Sequence, residues 1–317
     1  MMKILYLCNK HMYDTKMSRI RFHGMVAISK VTDFIYSGKG WSNYNNSKTV
    51  QENIDNIYGS NQPDIVVAYK PLELKEFNRI KPAKCIRYNE MWNKKATKKE
   101  IIESKSDLII CHHFNDIVHY KDIPNIQLVN ISHCAEQTVY KDYGEKKTND
   151  ILFTGSIASQ YPFRRRLLRL IPRLSQHVKC RVMSHPGDPG KPYGQIKGYT
   201  LESYAREINR SKITLTCSSK FKYRLGKYTE IPMCASLLAA DLPNEDHKFF
   251  EQFMLVLDTA WSDDDIIHQL VKYVKKDERR GRMIRKGIEL NKEYTQEKYA
   301  ERFVKEIKVF LSGNIRK

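Results

Sequence analysis

The sequence predicts an α/β protein built from two doubly wound parallel sheets. Three observations carry that reading: the length, the spacing of short apolar runs in the first half, and a strand and helix alternation in the second. At 317 residues the chain exceeds what one core usually serves and suits two domains of about 150 residues each. In the first half, strand-like runs fall at 3–8, 64–68, 85–88, 108–111 and 126–131, separated by polar or amphipathic stretches. Strands spaced by helical connections form a parallel sheet, and such sheets bind ligands beyond the carboxyl ends of their strands. The residues that follow each run are therefore candidates for function: Asn9 to His11, Tyr69 and Lys70, Asn89 and Glu90, His112 and His113, Ser132 and His133.

Composition agrees with two packed domains. Hydrophobic residues make up 41% and aromatic ones 11%, enough for two cores, so disorder is not expected. No apolar run reaches the ~18 residues of a membrane span. The apolar stretch Ile4 to Cys8 is too short for a signal peptide and reads as a first strand; the expected setting is cytoplasmic, with a peripheral membrane contact left open. The seven cysteines are odd in number, widely spaced and mostly in apolar runs, which points to buried thiols rather than disulfides or zinc. The net charge of +19 speaks to partners: a phosphate-bearing substrate, an anionic membrane surface or nucleic acid. A solvated lysine-rich surface is the plain alternative, and no nucleic-acid-binding signature accompanies the charge.

The polar stretch 141–149, with Gly144, marks the boundary. It divides the chain into 1–142, 143–295 and a closing helix at 296–317 expected to pack back on the first domain. Past it, Asn149 to Ser156 (NDILFTGS) is an apolar strand running into Gly-Ser, where a missing Cβ lets backbone approach a phosphate. Pro162 opens a helix with Phe163, Leu167, Leu170, Ile171 and Leu174 on one face and Arg165, Arg166, Arg169 and Arg173 on the other. A strand at 179–183 ends at Ser184-His185-Pro186-Gly187. From 211 to 243 follow a strand (Ile213 to Cys217), a basic loop with Lys220, then Lys227 and Glu230. An apolar run, Ala235 to Ala240, closes on Asp241, Leu242 and Pro243. Lys227 and Glu230 sit one turn apart on a helix face. That is also the spacing of any surface pair, yet it suits a ligand with both an anionic group and hydroxyls.

The segment 149–243 resembles the carboxyl-terminal half of GT-B glycosyltransferases of the group-1-like kind, with weaker likeness over roughly 105–310. The resemblance implies two Rossmann-like domains facing a central cleft, with a nucleoside-diphosphate sugar held mainly by the second domain and a glycan or glycolipid acceptor against the first. Glu230 would bond the donor ribose and Lys227 neutralise the diphosphate. Gly155 and Ser156 would contact the diphosphate, joined by Arg165 or Arg166 and by Lys220. Ser184 and His185 would lie near the base. Glu90, after its strand, is the candidate general base, with His113 and His133 as rivals. No D-x-D motif stands in a suitable place, and Asp263 to Asp265 read as a helix cap, so neither a metal nor another cofactor is expected. The position eight before Glu230 is Lys222, where many retaining members carry a first glutamate; the sugar, hexose or pentose, and the stereochemistry stay open. Transfer to a DNA base is an alternative, as is a non-catalytic protein of this fold on nucleic acid or an anionic surface. A sugar-phosphate epimerase shares only the layout.

Overall fold

A computed structural model describes residues 1–14, 19–183 and 201–314. They form two compact units, one of residues 1–132 together with the chain from Gln296 onward, the other His133–Thr295. The division falls before the polar stretch that marked it in the sequence. Its cause is packing: Ala135 donates its amide to the carbonyl of Tyr294 at 2.9 Å, and Ala135 and Tyr140 are buried in the core of the second unit beside Tyr204. The closing helix, Gln296–Asn314, belongs with the first unit and packs on the helix Arg19–Ser29.

The first unit holds a sheet of six parallel strands: β1 (Lys3–Leu7), β2 (Asp33–Ser37), β3 (Ile65–Ala68), β4 (Ala83–Tyr88), β5 (Leu108–Cys111) and β6 (Gln127–Asn130). Their order is β2-β1-β3-β4-β5-β6, and Ile4 pairs in register with Ile65. Both faces are covered, so β3 and β5 are apolar throughout and fully buried, as parallel sheets require. β2 was not legible as an apolar run because it is an edge strand, buried only at its last residue. At the sheet centre Arg87 is 1% exposed. Its Nε donates to Tyr299 Oη at 2.6 Å and its Nη2 to His112 Nε2 at 3.1 Å, while His112 Nδ1 donates to the Ile131 carbonyl at 2.8 Å. This network ties the closing helix to the sheet, and His112 is a structural residue.

The second unit has five parallel strands, β7 (Asn149–Thr154), β8 (Cys180–Met183), β9 (Ser211–Leu215), β10 (Leu237–Ala240) and β11 (Leu255–Val256), in the order β11-β10-β9-β7-β8. Period-2 alternation splits its core. Ile151, Phe153, Ile213 and Leu215 pack with Leu167 and Leu270 on one face; Leu152, Leu238 and Ala240 pack with Ile208, Tyr228 and Ile231 on the other. Each buried Leu, Ile or Phe among them contributes about 1.5–3 kcal/mol. All seven cysteines are free and five are buried. Among the described residues no helix is long and apolar enough to cross a membrane.

Lys147 holds the start of this unit in place, donating to the carbonyls of Ala235, at 2.7 Å, and Asn209. Burial pushes its ammonium down to about 8, against the opposing pull of Asp142. Below that value both folded and unfolded chains carry the proton and the burial penalty is full. Between about 8 and the ordinary lysine value the unfolded chain holds the proton and the folded one does not, so stability rises with pH. The unfolding free energy of wild type minus that of Lys147→Met should therefore climb from pH 7.5 to 10 in urea titrations; a flat difference would contradict the assignment.

Candidate active site

In each sheet the chain leaves the first strand to one side and returns on the other. The switch points lie between β1 and β3 and between β7 and β9, where parallel sheets of this kind bind their ligands.

At the second of these, β7 runs into Thr154-Gly155-Ser156. Gly155 has φ +109°, and a Cβ built there would lie 2.9 Å from Arg164 Nη1 and 3.1 Å from Lys227 Cε. Three groups thus converge on one point: a glycine backbone, a guanidinium and a lysine stem. Arg164 stands in the first turn of the helix Pro162–Leu174 and is 2% exposed. Its Nη1 donates to the Ser156 carbonyl at 2.8 Å and its Nη2 to Thr216 Oγ1 at 3.0 Å, so it bridges the loops after β7 and β9. Its guanidinium stacks on Tyr161 at 4.2 Å. Lys227 opens the helix Lys227–Met233; its Nζ bonds the Tyr204 hydroxyl and lies 4.5 Å from the centre of that ring. Among the described residues neither cation has a carboxylate partner. Two such cations side by side, one of them buried, form a place that an anion completes. Glu230, half-buried, follows one turn after Lys227, and among the described residues its carboxylate makes no hydrogen bond or ion pair.

Other expected donor contacts are placed differently. Arg165 is exposed. Arg166 is engaged elsewhere, with Asp263 at 2.7 Å and the carbonyls of Thr259 and Trp261 at 2.8 and 2.5 Å. Lys220 is exposed, on a loop whose Lys220 amide is tied to the Gln160 carbonyl at 2.8 Å. Ser184 and His185 lie outside the described residues. Lys222, at the place of the absent glutamate, pairs with Asp241 at 2.8 Å; the Asp241 carboxylate also accepts from the Ser218 amide at 2.9 Å and hydroxyl at 2.6 Å. The arginine of this helix that stands beside Gly155 is Arg164. The missed signal was periodicity: Arg164 precedes Leu167 by three and Ile171 by seven, which puts it on the buried stripe.

The candidates for proton transfer separate by burial. His113 is fully buried and desolvation pushes its imidazole down to about 3. His133 is 4% exposed and belongs to the second unit. Neither ring has the surface needed to meet an acceptor. Glu90, in the loop after β4, is exposed. Crowding by surrounding protein nevertheless raises its carboxyl above the ordinary range, opposed by a hydrogen bond with Trp92, and this moves it toward the affinity a general base needs near neutrality.

At the first switch point, beyond β1 and β3, a cavity of about 170 Å³ opens, with Tyr6, Tyr13, Phe22, Met25, Tyr69 and Leu74 among its walls. Asn9, Lys39, Lys70 and Glu73 also line it.

Residues 164–305 match the family described as glycosyl transferase-like. Sucrose-phosphate synthase from Thermosynechococcus elongatus superposes with a TM-score of 0.70 at 8% identity, covering 99% of this chain and 100% of its own. An alpha-glucosyltransferase solved with UDP and a mismatched 13-mer DNA gives 0.66 at 12% identity over 98% and 100%. Anabaena Alr3699/HepE, solved with UDP and glucose, gives 0.61 at 7% identity over 98% and 100%. No curated protein sequence matches. The fold is GT-B, two Rossmann-like parallel α/β units. Within the chain, residues 164–305 carry the glycosyl transferase-like match, which supports sugar transfer as the class of chemistry.

Proposed function

We propose that this protein transfers a sugar, hexose or pentose, from a nucleoside-diphosphate sugar to a glycan or glycolipid acceptor in glycan biosynthesis in the cytoplasm. The observation that carries this is the convergence of Gly155, Arg164 and Lys227 at the β7/β9 switch point. A departing nucleoside diphosphate develops charge that preorganised cations stabilise; Arg164 and Lys227 supply them, so that role is assigned to side chains and not to a metal or other cofactor. Glu230 is the group assigned to bond the donor ribose, and Glu90 the group assigned to take the acceptor's proton. The test is release of nucleoside diphosphate from a panel of donors with saccharide and glycolipid acceptors in the presence of a chelator. Acceptor-dependent release that falls in Glu230→Ala is expected; release that requires a divalent ion would overturn the assignment to side chains.

A second reading, transfer to a modified DNA base, is favoured by the net charge of +19 and by the likeness to the DNA-bound glucosyltransferase. It predicts release that depends on modified-base DNA, ignores saccharides and weakens steeply with salt.

A further inference from the structure

We propose that the first unit docks on an anionic lipid bilayer through an apolar surface beyond β4 and β5 that lysines flank. The proposal is independent of the sugar-transfer reading, because it concerns where the protein resides and not what it turns over.

Two loops that the sheet brings side by side build this surface. β4 and β5 run parallel with Tyr88 opposite Cys111, so the residues just past each strand emerge at one edge. Past β4 stands Trp92, 46% exposed; past β5 stand Phe114 and Val118, 53% and 44% exposed. Phe114 and Val118 are four residues apart in a helical turn and share a face. Hydrogen bonds from behind tie the two loops together: the Met91 amide donates to Asp116 Oδ2 at 2.7 Å, and Tyr120 Oη donates to the Met91 carbonyl at 2.5 Å. Met91, Asp116 and Tyr120 are buried. The inner side of each loop is thus packed while three large apolar side chains meet water. Exposed apolar side chains are ordinary one at a time, but several on one fixed surface mark a partner.

The charge beside them names that partner. Asn93 caps the helix Lys94–Ser104 by accepting from the Ala96 amide at 3.3 Å, which puts Lys94 and Lys95 next to Trp92. Lys98 pairs with Asp122 at 2.6 Å and so brings Lys121 to the same side. Lys94, Lys95 and Lys121 are exposed, and among the described residues none of them has a carboxylate partner. Tryptophan with phenylalanine and valine suits the boundary between headgroups and acyl chains, where lysines reach anionic headgroups on their flexible stems. A nucleic-acid surface would draw on the planar fork of arginine, and from Tyr88 to Phe163 the sequence has no arginine.

Flotation of the full chain with phosphatidylcholine vesicles, with and without phosphatidylglycerol, tests this. The anionic vesicles should bind it at least ~10-fold more tightly, and added salt should weaken that binding. Each lysine near such a surface contributes about 5-fold, so Lys94→Gln/Lys95→Gln/Lys121→Gln should bind about 100-fold more weakly at an unchanged melting temperature. Bromine on the lipid acyl chains near the headgroup should quench the tryptophan fluorescence of wild type and not that of Trp92→Phe, which keeps Trp41 and Trp261. Absence of binding to anionic vesicles, binding that survives the lysine changes, or quenching that persists in Trp92→Phe would overturn the proposal. A single-stranded oligonucleotide that binds wild type more tightly than the vesicles do, and is lost with the same lysine changes, would assign the surface to nucleic acid and overturn it equally.

Discussion

Gly155→Ala is expected to lose nucleotide-sugar binding while the chain still folds. At φ +109° a side chain is strained by about 1–3 kcal/mol, a loss that a domain pair of this size survives with a melting temperature lower by several degrees. The larger effect is local. The new methyl would stand 2.9 Å from Arg164 Nη1 and 3.1 Å from Lys227 Cε. Backbone cannot yield easily there, but these side-chain ends can. They would move away from the point where they converge, and the methyl would occupy the space that the proposed reading gives to a diphosphate oxygen. Circular dichroism melts together with calorimetric titration check this: a native-like melt with at least a ~10-fold weaker donor fits, since that corresponds to about 1.4 kcal/mol. Unchanged donor affinity would show that the glycine serves only the turn.

The second large effect concerns the two cations. A hydrogen bond to a charged group contributes about 1.5–3 kcal/mol, so Lys227→Met should weaken donor binding by about 10- to 150-fold. Because Lys227 is half-buried and among the described residues its ammonium bonds only Tyr204, the stability of this variant should change little. Arg164→Met differs in kind. Ser156 and Thr216 lose their donor, so donor binding and unfolding free energy should fall together. On the proposed reading one diphosphate meets both cations, so the double variant should lose less affinity than the sum of the singles. Additive losses would place the two on separate ligands.

How much of this was legible in the sequence depended on burial. β3, β5 and β7 are covered on both faces, so their apolar runs announced them; β2, at an edge, did not. The boundary was read from polarity, but the structure divides where contacts change, and His133 to Tyr140 already contribute to the second core. At the site, Lys227, Glu230 and Gly155 were accessible through spacing and residue type. Arg164 was hidden among three consecutive arginines, and only its phase relative to Leu167 and Ile171 distinguished it. His113 shows a limit of such a reading: a position after a strand indicates the edge of the sheet and says nothing of burial, and this ring is fully buried. The pocket beyond β1 and β3 combines residues from four separate segments, and no local pattern in the sequence joins them.

The central claim is that Gly155, Arg164 and Lys227 bind the diphosphate of a sugar nucleotide. Thermal shift with UDP-, GDP-, ADP- and dTDP-sugars, without divalent metal, on wild type, Lys227→Met and Glu230→Ala tests it most directly, because a ligand that binds only the folded state raises the melting temperature by mass action. The account predicts stabilisation by one nucleotide class in wild type, lost in Lys227→Met and reduced in Glu230→Ala. No stabilisation by any donor, or equal stabilisation of all three proteins, would contradict it.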